Sequence, residues 1–492
     1  MVGERGRTEL YIVEYGTWIV VMHNGESCQP RVCGHYGEDR VNPDDSHGVL
    51  SCVSADVGEV STGAGADLWN QVFSGGNLRT ALERVKTNKG AAGVDGVGVE
   101  DIDVYLREHW SGIRERLDAG TYKPLPVREV MILKPSGGWR MLGVPTVVDR
   151  VICQAIAQVL TPIFDVGFVP VSFGFRPQRS AHMALKTARG FLNEGYVWVV
   201  EVDLSKYFDT VNHDMLMSRV ARKVDDKRVL KLIRAYLNAG IMADGVVRCS
   251  DAGTPQGSPL SPLLSNIMLD DFDHYLASKG TKFVRYADDI RVFVRSKRAA
   301  QRALAQSGKF LEGKLKLRVN QEKSTICHAI KAELLGYGFY LVRGDQYRFR
   351  LTKATKVRVL ARVKELTARS WSVSMEYRID RLNKYLRGWL GYFALADAKV
   401  FLNRLDEHLR RRLRMCVWKQ WKRIRTRIRN LCRLGVDKQK AYEWANTSKS
   451  YWRIAGSWVL TTTLTNAYWN DQNLVSAVAY WNYKHSQYSV LV

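Results

Sequence analysis

Phe283-Val-Arg-Tyr-Ala-Asp-Asp-Ile-Arg-Val-Phe-Val294 is the stretch that decides the fold. Apolar runs flank Tyr286-Ala-Asp-Asp289, so the segment reads as a strand, a tight turn and a returning strand. Adjacent aspartates on an apolar hairpin are costly, because like charges this close repel. Taken alone, an Asp-Asp pair is ordinarily a plain turn. Here both arms are apolar, and a second acid-bearing strand lies upstream in Val200-Glu-Val-Asp-Leu-Ser-Lys-Tyr-Phe-Asp209. Divalent cations, Mg²⁺ above all, take such carboxylate oxygens as ligands, and Asp203 supplies the third carboxylate needed to bridge two ions.

Outward from the hairpin, the reading stays mixed. Val127–Leu133 and Trp139–Val144 form a second hairpin around Lys134-Pro-Ser-Gly-Gly138. Asn77–Thr87, Val104–Leu117, Asp149–Leu160 and Leu263–Leu276 carry helical spacing, and Val197–Val202 reads as a buried strand. Strands and helices without a regular βαβ rhythm argue for an α+β fold with antiparallel sheet. After about residue 350 the strands stop, and Lys356–Thr367, Tyr377–Phe393 and Lys399–Leu434 read as helices.

The 492 residues include 74 Lys and Arg against 49 Asp and Glu, a net charge of +25. That excess implies a polyanionic partner, most simply nucleic acid. The length predicts about three or four domains. An apolar share of 46% excludes a disordered tail protein, a collagen-like rod and a disulfide miniprotein. Residues 1–66 stand apart, with four Arg, no Lys and ten Asp or Glu, a net of −6. This stretch reads as a loosely folded extension or a translated leader, in which Tyr11–Met22 can pair as a short hairpin. Its His23, Cys28, Cys33, His35, His47 and Cys52 fit no standard zinc spacing, so chance clustering is the plainer reading. The eight cysteines are scattered, as in reduced thiols of a cytosol, and no run of about 18 apolar residues spans a membrane. Arg404–Arg433 holds twelve bases and two acids around an apolar stripe from Leu405 to Leu431. It reads as one or two amphipathic helices facing a polyanion rather than a solvated face, with Arg411, Arg412, Lys422 and Arg425 as candidate nucleic-acid contacts.

Tyr-Ala-Asp-Asp on a hairpin, with Asp203 followed five residues later by Phe208, resembles the palm of reverse transcriptases. Thr254-Pro-Gln-Gly-Ser-Pro-Leu-Ser-Pro262 is similar to the family's nucleotide-pocket loop. Ser172-Phe-Gly-Phe-Arg-Pro-Gln-Arg-Ser180, Gly93-Val-Asp-Gly96, Arg387-Gly-Trp-Leu-Gly-Tyr-Phe393 and Ala445-Asn-Thr-Ser-Lys449 resemble motifs of group II intron reverse transcriptases, the maturases. The likeness covers about residues 67–485 and leans to the short bacterial IIC type. It implies a right-hand polymerase, with fingers and palm at 67–349, a helical thumb at 350–432 and a small basic helical DNA- and RNA-binding domain at 433–492.

The resemblance also assigns roles. Asp203, Asp288, the Leu204 carbonyl and Asp289, the last as ligand or orienter, would hold two Mg²⁺ ions. Two such ions about 3.5–4 Å apart activate a primer 3′-hydroxyl and stabilise the leaving pyrophosphate. Phe208 would lie under the sugar of a dNTP and exclude a 2′-hydroxyl, or else be a core residue. Gln256 and Gly257 would line the nucleotide pocket, and Lys134 and Arg140 would close on the triphosphate, with Arg128 on the same hairpin. Lys323 would stand near pyrophosphate or simply be solvated. Arg176 and Arg179 would touch template phosphates or else pair with buried acids. Trp389, Tyr392, Trp418, Trp421, Trp444, Trp452 and Trp469 could stack on bases, though at these spacings most read as core.

The implied partners are group II intron RNA, target DNA with its primer, and an RNA–DNA hybrid, with no membrane and no indication of oligomeric state. The implied work is splicing assistance and target-primed copying of the intron during retrohoming. The chain shows no C-x-x-C or paired metal-binding His near its end, so second-strand cutting is not expected. Two rivals stay open: a splicing-only RNA-binding maturase with a relic polymerase, and a domesticated reverse transcriptase in phage defence or repair.

Overall fold

The computed structural model describes residues 68–133, 139–205, 207–243, 246–248, 257–344 and 346–489, together with the strands Tyr11–Tyr15 and Trp18–Met22. Those two strands pair antiparallel, Tyr15 opposite Trp18, as the hairpin expected there. The cysteine and histidine cluster of the first segment lies outside the described residues. The chain divides into two compact units between Ile326 and Cys327, with Leu192–Glu194 grouped with the second.

The first unit is α+β. Its palm sheet has the order Trp198–Val202, Asp289–Val294, Lys282–Tyr286, with Thr325 and Ile326 along the outer edge of Trp198–Val202. The β-branched and aromatic residues of these strands are what a pleated, half-buried surface favours. Val199, Val200, Val202, Phe283, Val284, Ile290, Val292 and Phe293 are all buried. A second sheet pairs Val127–Leu133 antiparallel with Trp139–Val144 and, in parallel, with Ile241–Ala243. Between these elements in sequence runs the helix Val147–Asp165, opened by Thr146, whose hydroxyl accepts from the Asp149 N–H at 3.1 Å. By length and hydropathy this helix could cross a membrane, but 67% of it is buried inside the protein. Val151, Ile152, Ala155, Ile156 and Leu160 enter the same apolar core as Val200, Val202 and Ile290.

The second unit begins with the antiparallel strands Glu333–Leu334, Tyr337–Val342 and Gln346–Leu351 and is helical thereafter. The division of units therefore falls ahead of the junction expected at 349/350. The reason is packing: the Tyr337 ring lies 5.1 Å from that of Phe393, and the Tyr392 hydroxyl donates to the Leu335 carbonyl at 3.0 Å. The sheet thus shares its core with the helix Met375–Tyr392. The basic run expected from Lys399 to Leu434 is two helices, Lys399–Gln420 and Ile424–Arg433. Of the aromatic residues expected to be mostly core, Trp418, Trp469 and Tyr392 are buried, whereas Trp389, Trp421 and Trp444 are half-buried and Trp452 is exposed.

Candidate active site

Sheet register brings the acids together. Val202 lies opposite Ile290, so the next residue of one strand, Asp203, and the preceding residue of the other, Asp289, occupy the same end of the sheet. Tyr286 pairs with Asp289 across the hairpin, leaving Ala287 and Asp288 as its two turn residues. Ala287 has φ +59°, the left-handed value that a two-residue hairpin turn demands at its first central position. Asp288 is 9% exposed and Asp289 half-buried.

Three supports fix this corner. Arg285, fully buried on the hairpin's first arm, donates from Nε to both Asp273 carboxylate oxygens at 2.8 Å. Its Nη1 donates to Asn266 Oδ1 at 2.8 Å and to the Ala287 carbonyl at 3.0 Å, so the turn hangs from a guanidinium. Asn266 in turn donates to the Gly174 carbonyl at 2.9 Å. Gly174 comes so close to the turn that a Cβ there would collide with the Ala287 backbone nitrogen. On the other side, the Asp203 N–H donates to Ser324 Oγ at 3.1 Å, and its carbonyl accepts from the Asn320 N–H at 2.8 Å. Leu204, with its side chain buried, bridges to Val319. The sequence did not single out Arg285, Asn266, Asp273, Asn320 or Ser324.

The electrostatics are those of crowded carboxylates. Burial pushes the Asp289 carboxyl up, Arg291 pulls it down, and the charges of Glu201 and Asp203 push it up again. Arg291 forms ion pairs with Asp289 and, at 3.5 Å, with Glu201. Among the described residues no group of three or more His, Cys, Asp or Glu side chains is gathered closely enough to hold a metal ion by itself. The charge of Asp203 bears on Asp289, and a hard cation such as Mg²⁺, which prefers carboxylate oxygens, would relieve that repulsion. Asp203, Asp288 and Asp289 are the residues that would hold it.

The remaining candidates divide. Phe208 is buried with its ring edge-on to Tyr207 at 4.9 Å, within the core behind the sheet. Gly257 has φ +127°, and a Cβ there would strike the Gly143 carbonyl, so its glycine is required by the neighbouring strand of the fingers hairpin. Lys323 is exposed on the turn that holds Asp203, its N–H donating to Asn320 Oδ1 at 3.3 Å. Arg128 is half-buried, and its Nε has no hydrogen-bond partner among the described residues. Arg179 lies 5.9 Å from the Phe173 ring centroid. Lys134, Gln256 and the side chain of Arg140 lie outside the described residues.

One assignment to template is corrected, and two residues assigned to RNA, Arg411 and Arg412, are half-exposed and also bonded within the protein. Arg176 is buried, ion-paired to Asp165 at 2.6 Å, and donates to the carbonyls of Val169, Ser172 and Asp165, so its fork is consumed internally. This is the buried-acid alternative. Arg412 donates to Thr367 Oγ1 and to the carbonyls of Lys364 and Thr367, closing the end of the helix Lys353–Leu366. Arg411 stacks 4.1 Å over Trp452 and donates to its carbonyl at 3.2 Å. Lys422 and Arg425 remain exposed.

The family model for reverse transcriptase (RNA-dependent DNA polymerase) matches residues 132–360, and that for the group II intron maturase-specific domain matches residues 357–435. Protein YkfC of Escherichia coli (strain K12) is 34% identical over 338 residues, which are 61% of this chain and 87% of that protein. Group II intron-encoded protein LtrA of Lactococcus lactis is 31% identical over 323 residues, covering 52% of this chain and 54% of LtrA. A putative COX1/OXI3 intron 2 protein of Saccharomyces cerevisiae is 26% identical over 63% of this chain and 42% of its own. A partial Cas6-RT-Cas1–Cas2 complex aligns with TM-score 0.31 at 23% identity, over 49% of this chain and 42% of that one. The chain belongs to the group II intron reverse transcriptases and maturases. It joins a reverse transcriptase domain to a maturase domain, and the latter implies binding to intron RNA.

Proposed function

We propose that this chain is an RNA-directed DNA polymerase that copies its parent intron RNA from a DNA primer at the target site, and that it also assists splicing. The observation that carries the reading is the convergence of Asp203, Asp288 and Asp289 at one end of the palm sheet, held there by Arg285 and Ser324. Two Mg²⁺ ions bound there would supply charge stabilisation for attack of the primer 3′-hydroxyl on a dNTP. The protein's own part is positioning. The Arg285 tether fixes the turn that carries Asp288, and Ser324 and Asn320 fix the backbone of Asp203. The exposed Lys422 and Arg425 would contribute to RNA binding, and the reaction would take place in the bacterial cytosol or nucleoid.

The test is primer extension on an RNA template with Mg²⁺ and dNTPs. Wild type is expected to synthesise DNA and Asp288→Ala to synthesise none. No synthesis by either protein, with tight intron RNA binding retained, would leave the splicing role and remove the polymerase.

A further inference from the structure

The segment Ser172–Arg176 is pinned at both ends against the strand that leads to the catalytic turn. Ser172 bridges in parallel to Arg285, the Phe173 N–H donates to the Arg285 carbonyl at 2.9 Å, and the Arg285 N–H donates to the Val171 carbonyl at 3.0 Å. Gly174 presses on Ala287 and is held by Asn266. Two residues further on, Arg176 is locked by its bonds to Asp165, Val169 and Ser172. Between these pins sits Phe175, with φ +57° and 41% of its surface exposed. Its neighbour Phe173 is 3% exposed, so the local chain can bury a ring and does not bury this one.

A bulky side chain at positive φ is a backbone outlier that persists only where the surroundings over-determine it. Here they do, and the result is an apolar ring directed beside the Tyr286 ring, centroid to centroid 6.2 Å, one residue from the turn that carries Asp288. We propose that Phe175 is a primer-contact residue, its exposed ring covering the deoxyribose face of the primer's 3′-terminal nucleotide. The proposal rests on the polymerase reading, which requires that primer end to reach Asp203, Asp288 and Asp289. A sugar edge is the same for all four bases, so an apolar contact to it is indifferent to sequence, as copying any template demands.

Covering the exposed two-fifths of a Phe side chain changes affinity by about three- to eightfold. The experiment measures binding by fluorescence anisotropy without Mg²⁺, so that affinity is read apart from turnover. The probes are an RNA–DNA hybrid with a recessed primer end and a longer hybrid with no recessed end. Phe175→Ala should weaken binding of the recessed hybrid by that factor and leave the other unchanged, with the KM for dNTP unaffected in extension assays. Phe175→Asn tolerates the left-handed conformation but lacks the ring; it should melt no lower than wild type and bind as weakly as Phe175→Ala. Phe175→Trp should retain wild-type affinity. Equal affinity of wild type, Ala and Asn variants for the recessed hybrid overturns the proposal, as does an equal loss on both hybrids. Wild-type protein that extends no primer overturns the polymerase reading; wild-type extension with an unaffected Phe175→Ala protein overturns only this one.

Discussion

Replacing Arg285 by Met separates what the buried guanidinium does for stability from what it does for the turn that carries Asp288. Arg285 and Asp273 are both fully buried and joined through three contacts of 2.5 to 2.8 Å. Removing one partner of such a pair costs about 3–5 kcal/mol, because the other charge is left uncompensated. In a unit of this size that lowers the melting temperature by roughly 10 °C. Arg285→Met/Asp273→Leu removes both charges, a change that is often neutral or stabilising by about 1–4 kcal/mol. The double variant still strips the donor from the Ala287 carbonyl, and a hydrogen bond from a charged group contributes about 1.5–3 kcal/mol. Expressed as misplacement of the Asp288 turn during chemistry, that is about a 10- to 100-fold loss of kcat. Thermal unfolding and single-turnover primer extension are the assays. The single variant should lose both stability and activity; the double should recover most of the melting temperature and stay slow. A double variant with wild-type kcat would refute the tether.

Three further outcomes follow from the same geometry. Gly257→Ala, at φ +127° and facing the Gly143 carbonyl, should lower stability by about 1–3 kcal/mol and raise the KM for dNTP; an unchanged melting curve would show that the loop relaxes freely. Arg412→Met should lower the melting temperature without altering the salt dependence of RNA binding, whereas Lys422→Gln and Arg425→Gln should each reduce the slope of log affinity against log salt by about 1 with no change in melting. Burial pushes the Asp149 carboxyl up against the hydrogen bonds of Thr146, Tyr122 and Tyr236, so its contribution to stability is full below the ordinary carboxylate value and is lost as pH rises through the raised one. Melting temperatures measured from about pH 4 upward should therefore fall less steeply in Asp149→Asn than in wild type, and parallel slopes would refute the assignment.

The hairpins were legible because their signals are local. Apolar alternation around Tyr286–Asp289 and around Lys134–Gly138 fixes strand, turn and strand without reference to the rest of the chain. Asp203 was legible because an acid closing a run of valines has few uses other than a site. Arg285 carried a signal that went unread. In Lys282–Tyr286 the period of two puts Arg285 on the face of Phe283, a core face, where a charge requires a buried acid; Asp273, in the helix just upstream, is that acid. No local pattern marks Arg176 as internal, or Arg411 and Arg412 as bonded within the protein. An arginine that stacks on a tryptophan or closes a helix end has the same neighbours in sequence as one that faces RNA, and only the packing tells them apart. The break between Gln420 and Ile424 is equally silent, with neither Gly nor Pro to mark it.

The buried arginines also change how the net charge of +25 is to be understood. In the first unit Arg176 and Arg285 face carboxylates, Asp165 and Asp273, so their charge is neutralised where it sits. In the second unit the buried Arg378 and Arg414 and the half-buried Arg412 face carbonyls instead. Arg378 donates to Leu366, Ala368 and Trp371, Arg412 to Lys364 and Thr367, and Arg414 to Leu464. A carbonyl satisfies a guanidinium's hydrogens but does not cancel its charge, and burial accordingly pulls all three pKa values down. The buried Arg378 and Arg414 are unavailable for direct contact with phosphate, yet they still add to the positive field of the helical unit. Field and contact report differently. Attraction at a distance sums every charge, whereas the salt slope of binding counts only the phosphates neutralised. The slope should therefore be smaller than the composition of Arg404–Arg433 suggests, while association at low salt stays fast, because part of that charge acts through space rather than by touch.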